Sequence, residues 1–323
     1  MAVLAKILIY GDIHLNSKNY GGHIDYATES LSYFQKITKI AEENQVTHLV
    51  GLGDFTYSRF HTLEYRKKVE EELEKQYKLT DGNRFELKGN HDIASYGMTE
   101  YEYYIEKGLI RPSTNLEFPG VNISMIDNDK SEIQKILPVE NADVNVVLAH
   151  DYFKFKNTKI ADYGKAIELD NFVRWFGIDY LICGHIHQQE IFSGDIIKNG
   201  VGHEVVVQYP GSPSRPAYRK GHMDAVGLLP LLTITDDPDN RFKYDVVKMD
   251  LWPIQESFNI QYIEAKAEKR EEKRNRVDIS DVVSQLDAHE GAVGNPEDII
   301  MSMTGIDDKY KKKAIDLLHS GQA

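Results

Sequence analysis

The chain is 323 residues long, 41% hydrophobic and 28% charged, a balance that excludes a disordered or collagen-like polymer. Its formal charge of −13, from 51 acids against 38 bases, argues against indiscriminate binding of polyanions, although bound cations or a local basic stripe reverse such a field where it matters. The single cysteine, Cys183, excludes an internal disulfide framework. With no stretch near the roughly 18 apolar residues of a membrane span and no apolar leader before the first strand, a cytoplasmic protein is expected.

Lys6–Gly11 reads as a buried strand, and Ala27, Leu31, Phe34, Ile37 and Ala41 recur at helical spacing, predicting an amphipathic helix over 26–44. Val46–Gly51 predicts a second strand, Leu63–Leu79 a charged helix, Phe85–Lys88 a short strand ending in Gly89-Asn90, and Tyr101–Lys107 a helix. Val121–Ile126 and Val144–Ala149 read as strands, Leu169–Phe176 as a helix and Tyr180–Cys183 as a strand. The apolar runs stop abruptly at Gly, Asp, Asn or His, the punctuation of a layered α/β fold with its site at strand ends. Beyond residue 188 the pattern turns to β, with strands expected at Ile191–Ile197, Glu204–Gln208, Gly227–Thr235 and Lys243–Met249. Glu264–Arg276 is nearly all charge and reads as a solvated helix or linker, with a phosphate-contacting stripe as the sharper alternative. Two short apolar-patterned segments follow, around Ile279–Leu286 and Tyr310–Leu318.

Five short pieces carry chemistry, each just after a strand signal: G-D-I-H at 11–14, G-L-G-D at 51–54, G-N-H-D at 89–92, A-H-D at 149–151 and C-G-H-I-H at 183–187. They supply Asp, Asn and His, oxygen and nitrogen donors suited to Mn, Fe or Zn rather than to thiolate sites. Asp12 and His14 are two apart, as are His185 and His187, so on continuing strands each pair would share a face. Asp12, His14, Asp54, Asn90, His150, His185 and His187 are too many donors for one ion. They suffice for two ions that share a bridging carboxylate and leave positions open for water and substrate. Two such ions attract an anionic phosphate ester and stabilise the charge that grows in its transition state. Cys183, in an apolar strand, reads as a buried core thiol, and Asp151 as a local cap.

The set D-x-H, G-D, G-N-H-D, H and G-H-x-H resembles the calcineurin-like metallophosphoesterases, with all five pieces in that family's order over residues 11–187. The resemblance implies a four-layer β-sandwich flanked by helices, with a small C-terminal cap or docking appendage. It implies that Asp12, His14, Asp54 and His187 hold one divalent metal and that Asp54, Asn90, His150 and His185 hold the other. It further implies that His91 is a non-ligand catalytic histidine at the scissile phosphate, and that Asp92 orients it. Mn²⁺ is the expected metal, with Mg²⁺, Fe or Zn as alternatives.

The segment Y-P-G-S-P-S-R-P at 209–216 resembles the Y-P-G-S-P element of the SbcD-type DNA repair nucleases, and D-I-H-L-N-S-K-N-Y resembles their D-x-H-L-G opening with Asn16 in place of a glycine. A short chain of this kind is similar to phage-encoded homologues, and a phage origin would place it in a host cytoplasm. On this resemblance Ser212, Ser214 and Arg215 offer hydroxyl and guanidinium donors to a phosphate, with a rigid structural turn that makes no substrate contact as the alternative, and His61 matches loosely a phosphate-contacting histidine of the nuclease branch. The expected organisation is a nuclease domain over 1–250, a reduced cap or charged linker over 251–276 and a helical docking region over 277–323, with Tyr310, Ala314, Leu317 and Leu318 forming an apolar stripe. The implied partners are DNA, an SbcC-type coiled-coil ATPase and a second copy of the chain; no G-x-x-x-x-G-K-[ST] occurs, so ATP dependence would come from the ATPase. The competing readings are a small-molecule phosphodiesterase or phosphomonoesterase of the same fold and a weakly catalytic partner-binding subunit.

Overall fold

In the computed structural model, residues alternate along β1 (Val3–Tyr10) between two separate cores, as the pleat of a strand requires. Ile7 and Ile9 face a second sheet, whereas Leu8 and Tyr10 face a layer of helices. The structure describes residues 2–271 except 17, 20–21, 58–61, 94–96, 130–132, 134–135, 159–165 and 215–225, together with residues 297, 300, 301, 311, 312, 315 and 319. Two units divide the chain, residues 1–258 and 259–323.

The first unit is a mixed α/β sandwich of two facing sheets. One has the order β13-β12-β1-β2-β3, formed by Phe242–Met249, Gly227–Thr235, β1, His48–Gly51 and Arg84–Glu86. The other has the order β10-β11-β9-β6-β5-β4, formed by Glu190–Lys198, Val201–Tyr209, Tyr180–Gly184, Val144–His150, Val121–Ile126 and Leu116–Phe118. Between them Ile7, Ile9, Val50, Ile123, Val146, Leu148, Ile182 and Leu232 make one apolar core. A two-stranded pair, β7 (Phe153–Lys154) and β8 (Ile167–Glu168), stands apart.

Helices α1 (Tyr26–Glu43) and α2 (Leu63–Leu79) cover the outer face of the first sheet. α1 buries Leu31, Phe34, Ile37 and Ala41, the stripe legible in the sequence, and Asp25 caps it by accepting from Thr28 N. Thr62 caps α2 in the same way, and α3 (Glu100–Glu106) starts in a Thr99/Glu102 capping box. Leu169–Phe176 is not the expected helix. It forms two 3₁₀ turns, Leu169–Asn171 and Val173–Trp175, broken at Phe172. Aromatic and β-branched residues there are weak helix formers, and the tighter turns let Trp175 and Phe172 both reach the outer core. In the second unit residues 260–271 are helical, and Lys311 Nζ donates to the Met301 carbonyl at 3.0 Å. The expected stripe of Tyr310, Ala314, Leu317 and Leu318 lies outside the described residues. Among the described residues no helix is long and apolar enough to cross a membrane.

A buried ion pair lies behind the end of β2. Arg84 and Glu86 are fully buried, with Nη2 to Oε2 at 2.7 Å. Glu86 Oε2 also accepts from Tyr10 OH at 2.6 Å, and Arg84 Nε donates to Gln76 Oε1 of α2 at 3.0 Å. A Cβ on Gly51 would collide with the Glu86 carboxylate, so that carboxylate lies flat on the strand that leads to Asp54. Removing one partner strands the other charge in a low dielectric. Arg84→Ala should lower the unfolding free energy by about 3–5 kcal/mol in urea denaturation. The double change to Arg84→Leu with Glu86→Leu should cost less than the sum of the two single changes.

Candidate metal centre

β1, β2 and β3 run parallel, with Tyr10 beside Gly51 and Gly51 beside Glu86. β6, β9 and β11 run parallel in the facing sheet, with Ala149 beside Cys183 and His150 beside Gly184. Every one of the five sequence pieces leaves the C-terminal end of one of these strands, which is where a layered α/β fold opens a crevice. The loops remain coupled beyond the strands: His14 N donates to the Asp54 carbonyl and Leu15 N to the Phe55 carbonyl, both at 2.9 Å. His14, Asp54 and His185 adopt left-handed backbone, with φ of 47°, 51° and 78°. The strand geometry that would place Asp12 with His14, and His185 with His187, on one face therefore stops at Tyr10 and at Gly184. A sharp turn aims the donors instead. At Gly89 a Cβ would collide with Asp54, so the G-N-H-D loop approaches the carboxylate as closely as backbone can.

All seven expected donors come together, in two groups about Asp54. Asp54 Oδ2 lies 3.6 Å from His14 Nε2, which lies 2.9 Å from His187 Nε2. Asp54 Oδ1 lies 3.5 Å from His150 Nε2. Asn90 Oδ1 lies 3.1 Å from His150 Nε2 and 2.9 Å from His185 Nδ1. Asp12 Oδ1 lies 3.4 Å from His150 Nδ1 and 2.8 Å from the His185 amide, which leaves its Oδ2 free of donors among the described residues. Asp12, Asp54 and His150 form one cluster of potential ligand atoms and His14, Asp54 and His91 another, each within 4.8 Å, so His91 also lies close to the centre. Asp12, His14, Asp54 and His150 are buried, while Asn90 and His91 are exposed, which gives the cluster a closed floor and an open side.

The electrostatics fit a cation. Asp12 Oδ2 is buried and has no hydrogen-bond partner among the described residues, a costly state for a carboxylate oxygen unless a cation takes it. Burial, and then the neighbouring His187, push His14 well below its ordinary value, so its imidazole is neutral and presents a lone pair. Burial and the charge of His150 lower His185 in the same way. Burial works against ionisation of Asp54, but His150 beside it overrides that and holds the carboxyl well below the usual range. His150 is the converse case. Burial disfavours its charge, yet Asp54 raises it to about 10. Both of its ring nitrogens face acceptors, Leu52 O at 2.6 Å and Asn90 Oδ1 at 3.1 Å, as an imidazolium requires.

The other expected site residues take other partners. Asp92 makes no hydrogen bond to the His91 ring. It is buried and accepts from the amides of Gly89, Phe55 and Thr56 at 3.0, 3.1 and 3.2 Å, tying the G-N-H-D loop to the loop after Asp54. Tyr57 holds the His91 ring instead, stacked on it at 5.1 Å between centroids and 24° between planes, with His14 edge-on at 5.1 Å on another side. Ser212 and Ser214 are buried and do not point outward. Ser212 Oγ donates to the Asp12 carbonyl at 2.6 Å, and Ser214 Oγ lies 3.0 Å from Tyr26 OH. His61 and Arg215 lie outside the described residues. Asp151 Oδ1 accepts from Tyr152 N at 2.7 Å where a strand and not a helix follows, so it is not a helix cap, and Cys183 is a buried free thiol. Sequence reasoning missed Tyr57, Tyr26 and Asn128, whose Nδ2 donates to the His150 carbonyl at 3.0 Å. The Asp127-Asn128 pair at the end of β5 is the same strand-end punctuation that marked the other loops.

The sequence model of the calcineurin-like phosphoesterases matches residues 5–189, more than half of the chain, and the chain belongs to that family. Its activity class is that of a metal-dependent hydrolase of phosphoester bonds. None of the curated proteins compared with the chain matches it.

A ligating His150 Nε2 must give up the proton that Asp54 makes it hold. Because His150 is raised to about 10 from an ordinary 6.5, the metal-free site is protonated throughout the neutral range and metal affinity should rise with pH. Titration of Mn²⁺ near pH 7 in two buffers of different ionisation enthalpy should show about one proton released from this histidine. Buffer-independent heats would contradict the assignment.

Proposed function

We propose that the chain is a two-metal DNA nuclease, an exonuclease that also has endonuclease activity, acting in DNA repair and recombination as the nuclease subunit of an SbcCD-like complex. The observation that carries this reading is the seating of the Y-P-G-S-P-S segment. It lies past the end of the family match, yet Ser212 donates its amide to the His187 carbonyl at 3.2 Å and its hydroxyl to the Asp12 carbonyl at 2.6 Å. The segment that resembles the nuclease branch is thus part of the wall of the metal centre.

In this reading Asp12, His14, Asp54 and His187 hold one divalent ion and Asp54, Asn90, His150 and His185 the other, with Mn²⁺ the best suited. Such ions, when bound, supply Lewis-acid stabilisation of phosphoryl charge and an acidified water. The carboxylate of Asp54 offers one oxygen to each group. His91, on the open side, holds the proton that the leaving sugar oxygen needs. Tyr57 keeps that ring over the centre. Asp92 fixes the loop that carries it. The segment over 277–323 would dock an SbcC-type ATPase, and the protein would work as a homodimer in the cytoplasm.

End-labelled linear DNA and a chromogenic phosphodiester, each with Mn²⁺, test the reading with wild type and His91→Ala in parallel. Wild type should degrade the DNA. His91→Ala should lose roughly 10²–10⁴-fold in rate with its metal content unchanged. Hydrolysis of the small ester with the DNA left intact overturns the DNA assignment and leaves the phosphoesterase class standing. Asp54→Ala should lose both metals together in a calorimetric titration, and full binding at either site would rule out a bridging carboxylate.

A further inference from the structure

Three hydroxyls that the reaction does not use form a buried chain under the D-I-H turn. Tyr26 OH donates to the His14 carbonyl at 3.0 Å, and Ser212 Oγ donates to the Asp12 carbonyl at 2.6 Å. Ser214 Oγ lies between them, 3.0 Å from Tyr26 OH and 3.3 Å from Ser212 Oγ. Tyr26 and Ser214 are fully buried and Ser212 nearly so. Each hydroxyl has one proton. The two outer protons are committed to the carbonyls, so the proton of Ser214 goes to one of its neighbours, and the shorter contact assigns it to Tyr26. Ser214 thus donates toward His14 by way of Tyr26, while Ser212 donates the other way, to Asp12.

What this chain holds is strained. His14 has a φ of 47°, unfavourable for a residue with a Cβ, and persists only where its surroundings fix it. Its amide is fixed by the Asp54 carbonyl and its carbonyl by Tyr26 OH. The backbones on either side are also in contact, since a Cβ on Gly11 would collide with the Gly211 carbonyl. Tyr26 opens α1, and the serines follow β11. The chain thus joins two distant elements to the turn that aims Asp12 and His14.

We infer that Tyr26, Ser212 and Ser214 are positioning residues for the metal centre: they hold the carbonyls of Asp12 and His14 so that these two side chains reach one ion with no reorganisation. This assignment rests on the two-metal reading above. It gives the Y-P-G-S-P-S segment its work as a brace inside the protein, not as a contact to phosphate.

Calorimetric titration of Mn²⁺ into metal-free wild type, Tyr26→Phe, Ser212→Ala and Ser214→Ala tests it, with His187→Ala marking which step belongs to the Asp12/His14 ion. Thermal melting of each metal-free variant checks folding. Tyr26→Phe and Ser212→Ala should each weaken the step that His187→Ala removes by about tenfold, the cost of one buried carbonyl left without its donor. The other step should stay within about twofold, and Ser214→Ala, which leaves both carbonyl bonds in place, should shift the first step less than either. Unchanged affinity in all three variants overturns the inference. So does equal weakening of both steps together with a lowered melting temperature, which marks a purely structural role. A wild type that binds no Mn²⁺ overturns the metal reading itself, a result distinct from either.

Discussion

The centre depends on one carboxylate held in a backbone conformation it would not choose. Asp54 has a φ of 51°, and its two oxygens face different groups of imidazoles, at 3.6 Å on one side and 3.5 Å on the other. The left-handed turn is enforced from three directions. His14 N binds the Asp54 carbonyl, His91 N binds Oδ1 at 2.8 Å, and Gly89 leaves no room for displacement. Strain of this kind costs about 1–3 kcal/mol per residue and is carried by a rigid surround. What it gives is a donor set already converged before any ion arrives, so little ordering remains for binding to drive.

The surround is partly polar. Arg84, Glu86, Tyr10 and Gln76 connect α2 to β3 and lie against the strand that leads to Asp54. Arg84 also stands 5.6 Å over the ring of Phe55, the residue after Asp54. A hydrocarbon core of the same volume would be as stable or more so. Directional bonds, however, fix the height and rotation of the loop, which apolar contacts do not. On the other flank Tyr26, Ser212 and Ser214 serve the D-I-H turn. The centre is thus held between two buried hydrogen-bond systems, one behind each aspartate-bearing loop.

Periodicity made the main strands and α1 legible because each buries one defined face, and motif spacing made the seven donors legible because each follows a strand. The failures share a cause. Ser214 and Tyr26 are 188 positions apart, so nothing local tells a hydroxyl that will meet another from one that will meet solvent. Asp92 is identical in sequence whether it turns to His91 or to three backbone amides. The strands β4, β7 and β8 have three, two and two residues, too few to show a period. At Leu169–Phe176 the apolar spacing is compatible with a helix, and only the packing demand of Trp175 decides for tighter turns. The T-x-x-E box at Thr99 was readable by rule and marks where α3 begins.

The order of strands in the first sheet carries a consequence for how the protein acquires its shape. β1 lies in the centre of that sheet, with β2 on one side and β12 on the other, so that Val3 pairs with Thr235 and Leu8 with Leu231. The opening strand of the chain therefore waits for one of the last to complete its hydrogen bonds. On a ribosome the first two hundred residues emerge with that edge of β1 bare, and closing so long a loop is slow on entropic grounds. The left-handed turn at His14 begins four residues past the end of β1 and cannot be rigid before the strand is. Assembly of the metal centre thus has to wait for a segment that contributes no ligand to it.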